Sequence, residues 1–178
     1  MKKIITKLPR PLLDFYAQKH LDNGSISEKE FFTLIEKGIE IKPEQIKNNR
    51  NLKNNGNVLR YCINNKKYYL INAFDEKIIS NKIVEEISNK ITDQEFQKIY
   101  STLSNTKKTL FLQNQQLRLK IIKREPKYLK ELESDQVTKD VLKIIEESDY
   151  IPNKEEISKN PILLSSRIIV EKKILIFF

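Results

Sequence analysis

The chain has 178 residues, of which 32% are charged and 39% hydrophobic, the balance of a soluble globular protein long enough to close a sizeable core. One cysteine, Cys62, excludes an internal disulfide and fits a reducing cytoplasm, and with one histidine, His20, no His/Cys zinc set can form and nucleophile–histidine catalysis has little to work with. The net charge of +9 would suit a polyanion, but the 33 cations are 27 Lys and 6 Arg in a chain also rich in Asn and Ile, a bias that an AT-rich coding sequence produces without selection for phosphate contacts.

The N-terminal MKKIITKLPRPLLDF carries charge but neither a long apolar segment nor a small-residue cleavage site, so no signal peptide is expected. No apolar run approaches the roughly 20 residues that span a bilayer, so no membrane span is expected either. PRPLLDFYAQKHLDNG predicts a first helix stopped at Asn23-Gly24. SISEKEFFTLIEKG predicts a second, opened by a capping box from Ser27 to Glu30 and closed at Gly38. IEIKPEQI begins as a strand before Pro43, and NNRNLKNNGN reads as a polar loop.

GNVLRYCINNKKYYLINAF (56–74) has two β-rich runs around a polar Asn-Asn-Lys-Lys break and predicts a hairpin. SNKIVEEISNKI and TDQEFQKIYSTLSN read as helices, the latter with a capping box from Thr92 to Glu95. TLFLQNQQLRLKIIK predicts a second hairpin turning near Asn114. PKYLKELESDQVTKDVLKIIEESDY supplies one or two helices, the second with Val141, Leu142, Ile144 and Ile145 as apolar positions. SSRIIVEKKILIFF reads as a last hairpin around Glu171-Lys172-Lys173. Three hairpins separated by helices predict an α+β domain over 1–178 with a mainly antiparallel sheet; helix-then-hairpin recurs without a residue-level repeat.

Three of the six arginines fall inside predicted strands: Arg60, Arg118 and Arg167, each between apolar residues. On a solvated sheet face their stems would simply cover apolar surface. Projecting from neighbouring strands into one cavity, their guanidiniums would fork to carboxylates better than lysine does, as suits a small, multiply carboxylated ligand.

The order of short motifs resembles the chorismate lyase family. LLDF (12–15) followed by GSIS (24–27) is similar to its opening helix and S-x-T step, and VLRYCI to its L-R strand, whose arginine binds a ligand carboxylate; that position is Arg60. TLFLQNQQLR, ending in Arg118, is similar to its L-F segment and following arginine, and SSRIIVEKKILIFF to its final R-S-R hairpin, with Arg167 on the penultimate strand. The family's P-L-G turn is replaced by Asn105-Thr106-Lys107-Lys108, and residues about 125–160 look like an added helical section.

The resemblance implies an enzyme that eliminates pyruvate from chorismate to leave 4-hydroxybenzoate, a ubiquinone precursor, with no cofactor or metal. Arg60 would clamp one carboxylate and Arg118 or Arg167 the other, with backbone amides near Ser25 and Leu112 closing the pocket. The family's catalytic glutamate lies beyond its last apolar run, which here ends at Phe178, so no catalytic residue is assigned and activity stays an open expectation. Glu171, in the predicted turn, reads as a solvated surface group.

Three other readings stand beside it. Residues 1–123 carry 23 cations and 13 anions, and 124–178 carry 10 and 11. The stretch 42–67, with Lys42, Lys47, Arg50, Lys53, Arg60, Lys66 and Lys67 beside Tyr61, Tyr68 and Tyr69, interleaves cations and aromatics as single-strand nucleic-acid binding requires. A winged-helix reading of 140–177 is opposed by Pro161 and by the β-branched residues at 168–170. A metal nuclease would use Asp75 with Glu171-Lys172-Lys173, and a non-catalytic adaptor in a larger assembly would dock through Phe177 and Phe178.

Overall fold

A computed structural model describes residues 8–165 and, among them, the regular structure is helical throughout, with no strand and no sheet. The expected α+β fold with an antiparallel sheet is therefore corrected to an all-α fold. The chain divides into two compact units, Met1–Lys90 and Ile91–Phe178.

In the first unit α1 (Arg10–Asp22) buries Leu13, Ala17 and Leu21, a four-residue spacing that lines one helical face. It stops where expected: Gly24 takes a φ of +61°, open to glycine at little cost. Then α2 (Glu28–Glu36) starts on the expected capping box, with the Ser27 amide donating to Glu30 at 2.9 Å. Its end is closed from outside by Arg10, whose guanidinium donates to the carbonyls of Lys37 (2.8 Å) and Gly38 (3.2 Å). These are the acceptors that a helix C-terminus leaves unpaired.

The expected strand before Pro43 is an extended connection; Pro43 opens α3 (Pro43–Lys47), where its missing N–H costs nothing. The expected polar loop contains α4 (Arg50–Lys53), because Asn49 caps it by accepting from the amides of Asn51 and Leu52. The opening hairpin is α5 (Gly56–Asn64) followed by a 3-10 segment, Tyr68–Ala73. Val58, Leu59, Cys62 and Ile63 are all buried, a pair-and-pair spacing of one helical face rather than strand alternation. A second 3-10 turn, Glu76–Ile78, leads into α6 (Asn81–Lys90), the helix expected there.

The second unit runs α7 (Asp93–Tyr100), α8 (Asn105–Gln113) and α9 (Gln115–Arg124), then 3-10 turns at Pro126–Glu131 and Ser134–Gln136, α10 (Lys139–Glu147), α11 (Lys154–Lys159) and a 3-10 turn at Pro161–Ser165. The capping box from Thr92 to Glu95 opens α7 as expected. The second expected hairpin is the α8–α9 pair: Asn114 starts a new helix by accepting from Leu117 N, instead of turning a ribbon. Here again Leu117, Arg118, Ile121 and Ile122 are buried in pairs four residues apart. Helix α9 packs against α7, α8 and α10, over an aromatic cluster in which Phe96 meets Tyr100 edge-on at 5.5 Å and Phe111 at 6.0 Å. The expected last hairpin, with Arg167, Glu171 and the terminal phenylalanines, lies outside the described residues.

Part of each unit, residues 56–90 in the first and 114–148 in the second, repeats one layout. The 3-10 segments at 68 and 126, those at 76 and 134, and the helices opening at 81 and 139 all stand 58 residues apart. At the same spacing Leu59 and Leu117, Ile63 and Ile121, Ile71 and Leu129, Phe74 and Leu132, Ile79 and Val137, Ile83 and Val141, and Ile87 and Ile145 are buried in both copies. The shared feature is where apolar volume is buried, with few identical residues, which is why the sequence shows no repeat.

Candidate functional site

Each arginine assigned to a carboxylate pocket sits on a helix or lies undescribed. Arg60 on α5 is exposed and faces Glu86 of α6 at 3.5 Å. Arg118 on α9 is 7% exposed and donates from Nη1 to the Leu112 carbonyl at 3.2 Å. Burial pulls its pKa below the ordinary value, against the opposing pull of Asp135, and its buried Nε has no hydrogen-bond partner. Arg118 and Leu112 thus meet, though as a helix-to-helix tie through a carbonyl and not as a ligand clamp. Ser25 lies in the exposed turn after α1, its hydroxyl 3.0 Å from His20 Nδ1. Arg167 lies outside the described residues.

The lysine-rich face assigned as an alternative is gathered by the fold. The Tyr69 hydroxyl donates to the Ile41 carbonyl (3.3 Å) and the Asp75 amide to the Lys53 carbonyl (3.0 Å), which lays residues 41–53 along 69–75. Helix α3 packs on the 3-10 segment Tyr68–Ala73 and on α4. The turn after α1 closes on the same place: Asn49 is fully buried and donates from Nδ2 to the Ile26 carbonyl at 2.9 Å. A Cβ at Gly24 would stand 2.8 Å from the Asn48 carbonyl oxygen.

Over 42–67 this arrangement carries seven cations and one anion, Glu44. Arg60 spends its charge on Glu86, whereas Lys42, Lys47, Arg50, Lys53, Lys66 and Lys67 form no salt bridge among the described residues. Lys42, Lys47, Arg50 and Lys66 are exposed, and Lys53 and Lys67 half-exposed. Lys66 holds a φ of 56°, a left-handed conformation unusual for a side-chain-bearing residue, at the end of α5. Lys67 also bears on Cys62: burial pushes that thiol up to about 12, with Lys67 acting weakly the other way.

The aromatics are not equivalent. Tyr68 is 3% exposed, and Tyr61 stacks on Phe32 with ring centroids 4.3 Å apart. Tyr69 alone of the three is open, at 41%. Burial and the nearby Glu40 raise its hydroxyl pKa.

Two concavities of the second unit are lined wholly by described residues. One, of about 300 Å³, is lined by Asn105, Lys108, Thr109, Leu112 and Glu131; Glu131 accepts the Tyr100 hydroxyl at 2.7 Å and Lys108 lies over the Tyr100 ring. The other, of about 630 Å³, runs along α9 and α10 over Leu119 and Ile144. Its three lysines, Lys120, Lys123 and Lys143, are balanced by Asp93, Asp140 and Glu147, with Lys120 paired to Asp93 at 3.4 Å. Neither concentrates one sign of charge.

Comparison with protein-family models, with curated proteins and with solved structures finds no match to this chain. Among the described residues no helix is long and apolar enough to cross a membrane.

Proposed function

We propose that the chain is a helical binding module whose first unit engages the phosphate backbone of a nucleic acid. The reading is carried by one observation: the 42–67 segment sets seven cations against one anion, and six of those cations form no salt bridge among the described residues, on elements that the fold packs together. Lys19, Lys29, Lys37, Lys77, Lys82 and Lys90 of the same unit likewise form no salt bridge among the described residues, so what sets 42–67 apart is its balance of charge. Unpaired cations held close together gain most from a polyanion, because each phosphate they neutralise releases condensed counterions. A carboxylated-ring ligand has less support, since the strands meant to aim Arg60 and Arg118 at one cavity do not form.

The test is the salt dependence of binding to a labelled oligonucleotide, followed by fluorescence anisotropy. Each phosphate contact contributes about −0.7 to the slope of log K against log salt for a single strand. Six contacts give a slope of roughly −4, and the triple variant Lys47→Gln, Arg50→Gln, Lys53→Gln brings it to roughly −2. Lys19→Gln, Lys29→Gln, Lys82→Gln removes as much charge from exposed positions outside the segment and is expected to leave the slope nearly unchanged. Equal slopes for the two triple variants, or binding insensitive to salt, would overturn the proposal.

A further inference from the structure

Building on the phosphate-binding reading, we infer that the nucleic acid is taken single-stranded, with a base stacked on the ring of Tyr69. Tyr69 is the open aromatic beside the basic segment, on the 3-10 turn that follows Lys66 and Lys67. Its hydroxyl is tied to the Ile41 carbonyl, one residue before Lys42. Tyr69 is thereby tied at its hydroxyl to the backbone next to Lys42 and follows Lys66 and Lys67 closely in the chain, while 41% of the residue stays exposed. A ring already ordered loses little entropy when a base lies on it. An aromatic face among backbone-tracking cations accepts any base, because every base has a π-face, whereas in a duplex those faces are already covered by their neighbours.

The duplicated layout gives an internal comparison. Fifty-eight residues on, Tyr69 corresponds to Lys127 and Lys67 to Glu125. There the two side chains pair with each other at 2.5 Å, and Lys127 lies over Tyr128 at 5.5 Å from its centroid. In the second unit the same position on the same turn is closed on itself. The open ring with unpaired lysines is thus a feature of one copy and not a by-product of the architecture.

The test compares Tyr69→Ala and Tyr69→Phe in the full chain against three probes: oligo(dT), an abasic strand of equal length, and heparin. Stacking predicts that Tyr69→Ala weakens oligo(dT) binding roughly 5- to 100-fold. It should leave the abasic strand and heparin within about twofold, and Tyr69→Phe, which keeps the ring, should retain most of the affinity. Equal losses on all three probes, or no loss on any, overturn the stacking inference while leaving the phosphate reading intact. Absence of binding to all three probes by the unaltered protein overturns both. Binding of a matched duplex as tightly as oligo(dT) also counts against the single-strand assignment. Far-UV circular dichroism of each variant separates a lost platform from a lost fold.

Discussion

Asn49 offers a demanding check on how the first unit is held together. Its side chain is fully buried and does two things at once: Oδ1 accepts from the amides of Asn51 and Leu52, and Nδ2 donates to the Ile26 carbonyl. Replacing it with alanine removes an N-cap, about 1 kcal/mol. It also leaves the Ile26 carbonyl without that donor, at about 1–3 kcal/mol where the site is buried. The expected loss is therefore about 2–4 kcal/mol.

Asn55 is the control. It caps α5 in the same way, accepting from Asn57 and Val58, but its Nδ2 donates to the Glu28 carboxylate at a partly exposed site. Asn55→Ala should cost about 1 kcal/mol. Asn49→Asp keeps the acceptor, loses the donor and sets a carboxylate against a carbonyl in the core, so it should be at least as damaging as alanine. Urea unfolding followed by circular dichroism measures all three. Equal losses at positions 49 and 55, or a benign Asn49→Asp, would refute the assignment of the cost to the buried donor.

Gly24→Ala should destabilise by about 1–3 kcal/mol, since φ is +61° and the new Cβ would press on the Asn48 carbonyl; Gly56→Ala, with open space around it at the start of α5, should be neutral or mildly stabilising in the same urea assay. Burial works to raise the Glu30 pKa, but hydrogen bonds from Ser27 and Tyr16 and the nearby His20 outweigh it and hold the carboxyl below its ordinary value. Its contribution is therefore complete above the unfolded carboxylate pKa of about 4.3 and is lost as pH falls through the folded value. The stability gap between wild type and Glu30→Gln should shrink on acidification below about pH 5, and a gap constant from pH 7 to 3 would contradict this. Cys62, buried and with its thiol pushed up to about 12, should resist alkylation in the native protein and react only as fast as the unit opens; rapid modification at neutral pH would place the thiol elsewhere.

Where local chemistry speaks through one or two residues, the sequence was legible. The boxes at Ser27–Glu30 and Thr92–Glu95 and the Asn23-Gly24 stop all stand in the structure. The expected hairpins that fall among the described residues are helical for two physical reasons. Short Ile-, Leu- and Val-rich runs satisfy both alternation and a helical face, and alternation alone places Arg60 and Arg118 in strands. By sequence Asn49 and Asn55 read as a polar loop and Asn114 as a hairpin turn, whereas each accepts from the first amides of the helix that follows, as Asn153 also does. Composition favouring asparagine has here been turned into a supply of helix starts. At the candidate site, the basic and aromatic residues were visible in the sequence. Which tyrosine stays open and which arginine is consumed depends on packing, and no local pattern carries that.

The duplicated layout also bears on how the protein is made. Each core is closed largely by elements that are close along the chain, as α9 is by α7, α8 and α10, and such local wiring favours fast folding. Everything the first unit needs has been synthesised once Lys90 clears the ribosomal tunnel. The nascent chain can then bury Leu52, Leu59 and Ile71 before the matching apolar residues of the second copy emerge to compete for them, so the order of translation itself keeps the copies from mispairing.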